Sequence, residues 1–131
     1  MKPFQRIKIA TSADAEKVFR RIWSKPIELR ECFYALFLNR ANKVFDYYLI
    51  SIGGITGTVD DPRCIFQAAL KASATSILLA HNHPSGNQNP SDADVELTRE
   101  LVDEGRIHEI TVLDHLILLP EGYTSMADDG C

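Results

Sequence analysis

His81 and His83 stand two positions apart, directly after the apolar run at residues 76–80 (SILLA). In extended backbone, residues i and i+2 project to the same side. Two imidazoles so placed can offer lone pairs to one cation, and neutral imidazole suits zinc. A catalytic zinc takes three protein ligands and keeps its fourth position for water. Asp94 is the candidate third ligand. It falls in the first turn of a helix opened by Ser91, where a helix N-terminus favours an ionised carboxylate. Ser91-x-x-Asp94 also has the form of a capping box, in which both side chains satisfy orphan backbone amides. The two roles are compatible if one carboxylate oxygen bonds the amide while the other faces the metal. The connection between the ligands, residues 81–90 (HNHPSGNQNP), is too rich in Pro, Gly and Asn for regular structure and can fold back.

A strand, a loop and a helix must hold these groups, and the rest of the chain supplies the frame. Residues 11–24 read as a first helix. Thr11 or Ser12 can cap it, Ala15, Val18, Phe19, Ile22 and Trp23 recur at helical spacing, and Pro26 ends it. Residues 32–38 (CFYALFL) form a nearly continuous apolar run, the pattern of a strand buried on both faces. Turn chemistry at residues 39–42 then leads to a second strand at 44–52, giving an antiparallel hairpin. Gly53, Gly54 and Gly57 read as a turn; no Lys-Ser/Thr follows, so they do not match a phosphate loop. Asp60-Asp61-Pro62 opens a second helix, with Ile65, Ala68, Ala69 and Ala72 on one face. A third strand covers 76–80. The helix capped by Ser91 runs to about Glu104, with Gly105 as its stop. Residues 110–113 and 116–119 read as two more strands, with a turn at 120–122. The order α-β-β-α-β-α-β-β predicts the α/β (α+β) class: a mixed sheet flanked by helices, one domain over residues 1–131.

Composition bounds the function classes. A chain of 131 residues, 45% hydrophobic, can bury its own core without disulfides. A net charge of −4 argues against generic nucleic-acid binding, which needs clustered Lys and Arg to displace counterions. The short basic clusters, Arg20-Arg21 and Arg40 with Lys43, read as a solvated helix face and a turn. Cys32, Cys64 and Cys131 are odd in number and form no C-x-x-C, which points to a reducing compartment and excludes a thiolate zinc site. Cys64 is expected to pack within its helix. The N-terminus lacks the apolar stretch of a signal peptide, and no run approaches the ~18 apolar residues of a membrane span. A cytoplasmic protein with no membrane contact is expected. His108, beside Glu109, reads as surface. His115, after Asp114, reads as a group that orients a metal ligand, lines the cleft, or sits satisfied in the core.

His81-x-His83, seven residues, Ser91, two residues, Asp94 is similar to the JAMM motif of MPN-domain (JAB-domain) metalloproteins in full. The block 81–86 (HNHPSG), Pro90-Ser91, Asp94 and Thr98 resembles the RadC branch. So do Gly57-Thr58 before Pro62-Arg63, and Leu113-Asp114-His115. The resemblance covers about Leu29 to the end and implies an MPN fold, related in layout to that of cytidine deaminases. It implies one Zn2+ per chain on His81, His83 and Asp94, and places Ser91 where the JAMM peptidases hold the developing oxyanion. Their general base is a glutamate just before the first strand. Glu31, two residues before the strand aromatic Phe33, takes that place, with Glu28 as runner-up. The implied activity is zinc-dependent hydrolysis of a peptide or isopeptide amide in a peptide or protein substrate. The alternative is a non-catalytic MPN binding module serving DNA repair or DNA maintenance. A nucleobase deaminase needs H-x-E with P-C-x-x-C; His83 stands in place of the Glu, and the cysteine pair is absent. The helix-hairpin-helix region of full-length RadC proteins is not expected in this short form, so its DNA contacts do not carry over.

Overall fold

A computed structural model of the chain describes residues 7–23, 26–52 and 62–130. Helix α1 (Ser12–Ile22) opens on a capping box: Thr11 accepts from the Asp14 amide, and Asp14 accepts from the Thr11 amide. Strands β1 (Cys32–Leu38) and β2 (Val44–Ile52) form the expected antiparallel hairpin. Helix α2 (Pro62–Lys71) leads into β3 (Ser76–Asn82), and helix α3 (Asp92–Ile107) into β4 (Thr111–Leu118); a short β5 (Tyr123–Ser125) ends the sheet. The strand order is β2-β1-β3-β4-β5, parallel only between β3 and β4. A parallel pair needs a long crossover, and α3 supplies it.

Alternation along the strands divides the core into two layers. Cys32, Tyr34, Leu36, Leu78, Ala80, Leu116 and Leu118 pack under α1. Phe33, Ala35, Phe37, Ile77 and Leu79 pack with Ile65, Phe66 and Ala69 of α2 and Leu101 of α3. Strands β1 and β3 are buried at every residue, which is why their sequences are nearly continuous apolar runs. Each fully buried Leu, Ile or Phe contributes roughly 1.5–3 kcal/mol relative to exposure.

Several sequence expectations are corrected. Residues 110–113 and 116–119 are not two strands; β4 is continuous across the polar pair Asp114-His115. It carries an extra residue, because Ile77 pairs with Val112 and Leu78 with Asp114. That β-bulge at Leu113 reverses the alternation, so Val112 and His115 both face α3 while Asp114 and Leu116 face α1. Gly105 is not the stop of α3, which continues to Ile107. A Cβ there would lie 2.3 Å from the Ile110 carbonyl oxygen, so the glycine permits a close approach of helix to strand. The chain turns instead at Glu109, whose φ is 57°. Cys64 does not pack; it is exposed. Arg20 is more than a solvated charge: it pairs with Glu16 and donates to the Leu119 and Gly122 carbonyls, bracing the turn between β4 and β5. The glycine turn at 53–57 and the helix opening at Asp60-Asp61 lie outside the described residues. No helix among the described residues is long and apolar enough to cross a membrane.

Candidate metal centre

Strand β3 runs two residues past the expected end, through His81 and Asn82. Alternation sends His81 to the α3 side and Asn82 to the α1 side. His83 leaves the sheet just beyond, tied by its amide to the Leu118 carbonyl. Helix α3 then brings Asp94, 3% exposed, over the end of β3. His81 Nε2 lies 2.9 Å from His83 Nε2 and 3.3 Å from Asp94 Oδ2; His83 Nε2 lies 3.5 Å from the same oxygen. These atoms can hold one metal ion.

The hydrogen bonds around the triangle fix which ring nitrogens carry protons. The Thr98 hydroxyl donates to the Asp94 carbonyl at 2.7 Å, so its oxygen is left to accept from His115 Nδ1 at 2.6 Å. Burial holds the His115 pKa well below the usual imidazole range, and charge at His81 and His83 adds to that against the opposing pull of Asp94. His115 is therefore neutral, with one proton. That proton is on Nδ1, so Nε2 accepts from His81 Nδ1 at 2.7 Å. His83 Nδ1 donates to the Asn87 carbonyl at 2.7 Å. Both histidines thus present a bare Nε2 lone pair toward a carboxylate. Three acceptors converge with no donor among them, an arrangement that a shared cation relieves.

Asp94 is kept ionised. Burial alone would raise its pKa, but a cation at His81, which is a shared proton where no metal stands, and then the Ser91 amide and hydroxyl outweigh it and hold the carboxyl well below the usual carboxylate range. The division of labour between its oxygens differs from the sequence expectation. Oδ2 both accepts from the Ser91 amide, at 2.8 Å, and faces the two histidines. A carboxylate oxygen has two lone-pair directions, so one atom can serve both. Ser91 completes the capping box by accepting from the Asp94 amide at 3.0 Å, and its hydroxyl also favours the ionised Asp94 carboxylate. Ser91→Ala is expected to cost about 1 kcal/mol of stability through the lost cap, measured by urea unfolding of the metal-free protein.

The cleft above the triad is lined by Glu31, Ser85, Asn87 and Ser91 together with the three candidate ligands. Phe33 pairs with His81 at the end of the β1–β3 ladder, and Glu31, two residues before Phe33, lines the cleft with His83. Glu28 is exposed on the preceding turn and is not among the lining residues. His115 does not line the cleft. It is fully buried beneath His81, with the Phe33 ring stacked on it at 5.4 Å. His108 is exposed, near Glu104. Sequence reasoning missed the work of two side chains. Thr98 links His115 to α3, and Asn82 bonds the backbone before β1. Both lie within the motif-bearing segment at residues 81–98, but their partners are distant in sequence.

The buried neutral imidazole has a consequence for pH. Below about pH 6.5 an unfolded chain protonates His115 while the folded chain does not. The unfolded state then binds more protons, so stability falls as pH drops through that range. The slope from one proton is at most about 1.4 kcal/mol per pH unit. His115→Gln is expected to flatten it by that share, read from urea midpoints of metal-free protein between about pH 7 and pH 5.

Residues 9–131 match the RadC-like JAB domain family. Among curated proteins, the chain is 43% identical over 124 residues to a UPF0758 protein of Flavobacterium johnsoniae, covering 94% of this chain and 53% of that one. A UPF0758 protein of Symbiobacterium thermophilum is 45% identical over 100 residues, 76% of this chain and 43% of the relative. One from Listeria monocytogenes is 42% identical over 101 residues, 77% and 45%. The chain thus spans about half the length of the curated relatives it matches. Fold, donor set and family match agree: this chain belongs to the RadC-like JAB domain family.

Proposed function

We propose that the protein is a zinc-dependent hydrolase that cleaves amide bonds in peptide or protein substrates. The observation that carries this reading is the convergence of two bare imidazole lone pairs and one carboxylate oxygen at 2.9–3.5 Å beside a cleft that also holds Glu31. Four-coordinate zinc with bonds of about 2.0–2.1 Å sets its ligand atoms about 3.3 Å apart, so the triangle fits that ion. Two imidazoles and a carboxylate are also a donor set found in zinc hydrolases. When bound, zinc supplies Lewis acidity, acidifying water from a pKa of about 15.7 toward roughly 7 and polarising a carbonyl.

The chain's own groups do the rest. Glu31 takes a proton from the attacking water and returns it to the leaving amine. Ser91, which lines the cleft, turns its hydroxyl proton from Asp94 to the oxygen that gains charge as the carbonyl is attacked. Such a contact contributes about 3–4 kcal/mol when well placed. His115, through His81, keeps the ligand in the tautomer that presents Nε2. The His83 loop and the α3 N-terminus form the walls that orient the substrate amide. Cys32 and Cys64 form no disulfide among the described residues, which suits a reducing, cytoplasmic setting.

The test uses purified protein, zinc analysis and an unbiased peptide mixture. The expected result is close to one zinc per chain and new peptide termini that disappear on chelation and return with zinc. Stoichiometric zinc with no cleavage of peptides or isopeptide-linked proteins would leave a binding module instead.

A further inference from the structure

We infer that Asn82 is the positioning residue that fixes Glu31 over the metal centre, by gripping the backbone on both sides of it. The inference rests on Glu31 acting as the base. Asn82 is fully buried, on the opposite face of β3 from His81. Its Oδ1 accepts from the Cys32 amide at 2.8 Å. Its Nδ2 donates to the Arg30 carbonyl at 2.9 Å and to the Ile27 carbonyl at 2.7 Å. Arg30 and Cys32 are the immediate neighbours of Glu31 in the chain. Both amide protons and one oxygen lone pair are thus spent on the segment that carries the base.

That segment needs such a hold. Residues 26–31 precede β1 and belong to no strand, and the turn there closes through Leu29 N–H to the Pro26 carbonyl. Glu31 is half-buried at its end, with its side chain at the cleft. Asn82 sits between the two histidines, so the residue that carries the clamp is one peptide link from each ligand. The β1–β3 ladder ends at Phe33 and His81, so beyond it the position of Glu31 relative to the ligands is held across this one side chain. No other residue of similar size serves. Asp lacks both donors, and Ser is too short to span three backbone groups. Ala takes the partner from the buried Cys32 amide and from the part-buried Arg30 and Ile27 carbonyls.

The experiment is NMR of protein labelled with 13C at glutamate carboxyls and 15N at histidine rings, titrated with zinc alone. Glu31→Gln identifies the Glu31 resonance by its disappearance. In the wild type, zinc is expected to move both the Glu31 carboxyl and the His81 and His83 ring signals. In Asn82→Ala the ring shifts persist, with zinc affinity within about threefold, while the Glu31 response falls to less than half. Exchange of the Cys32 amide rises by about tenfold or more, while the Leu79 and Ile117 amides stay protected. Should Asn82→Ala fail to fold, Asn82→Ser, small, neutral and too short to hold all three backbone groups, is expected to lose the Glu31 response in the same way. A Glu31 response that survives in the folded variant overturns the inference. So does parallel loss of the ring shifts, which would make Asn82 a support for the ligands instead. A wild-type Glu31 signal indifferent to zinc overturns the base assignment itself, and the inference with it.

Discussion

Asp94→Ala is expected to lower zinc affinity by at least about 100-fold, measured by competition with a chromophoric chelator. Even a neighbour that merely orients a ligand is worth about 10- to 100-fold in affinity, so loss of a ligand atom must exceed that. Asp94 Oδ2 is also the only anionic atom of the triangle. Without it, two neutral imidazoles face each other at 2.9 Å. The substitution also strips the Ser91 amide of its acceptor, so part of the loss could be mistaken for damage to the start of α3. Asp94→Asn separates the effects. Its side-chain oxygen can still accept from the Ser91 amide, but it brings no charge. Asp94→Asn is therefore expected to recover most of the stability and little of the affinity. Unchanged zinc binding in both variants would mean that the ion is held elsewhere.

Glu31→Gln is expected to leave zinc content near the wild-type value and to reduce hydrolysis by about 10²- to 10⁴-fold, the usual worth of a positioned general base. Glutamine preserves the shape of the side chain but cannot take up the proton. The change therefore falls on turnover and spares substrate binding: kcat drops while KM stays near its original value. Glu28→Gln is the matched control, because it alters the neighbouring acid on the exposed turn. A Glu31→Gln enzyme working at the wild-type rate, with Glu28→Gln inactive, would reassign the base.

Much of this arrangement could be read from residue order, and the unreadable parts share one cause. Residues 32–38 and 44–52 emerge as strands with the same bounds, because continuous burial and a turn rich in Asn leave little choice of register. The two-residue spacing of His81 and His83 carries its own geometry, since strand alternation is a local property. Ser91 and Asp94 are linked by a cap that spans one helical turn. The groups that the sequence leaves unassigned or open between roles depend on partners far along the chain. Asn82 reads as filler between histidines until β1 is paired beside β3, 50 residues earlier in the case of Cys32. His115 interrupts an apolar pattern and splits β4 in two, although its burial is explained by Thr98 and His81. Short-range patterning reports which face a residue occupies, and tertiary pairing decides what it meets there.

The extra residue at Leu113 carries a consequence for chain length. Upstream of it, the strand is phased to seat Val112 beneath the helices; downstream, it is phased to lay an imidazole under His81. A straight strand of the same composition would turn Asp114 and Leu116 toward α3 and carry His115 to the far side of the sheet. Deleting Leu113 itself would instead shorten the strand without changing its phase: Val112 stays opposite Ile77, Asp114 opposite Leu78, and the imidazole stays under His81, so the protein tolerates the loss of this residue but not its insertion into a regular ladder.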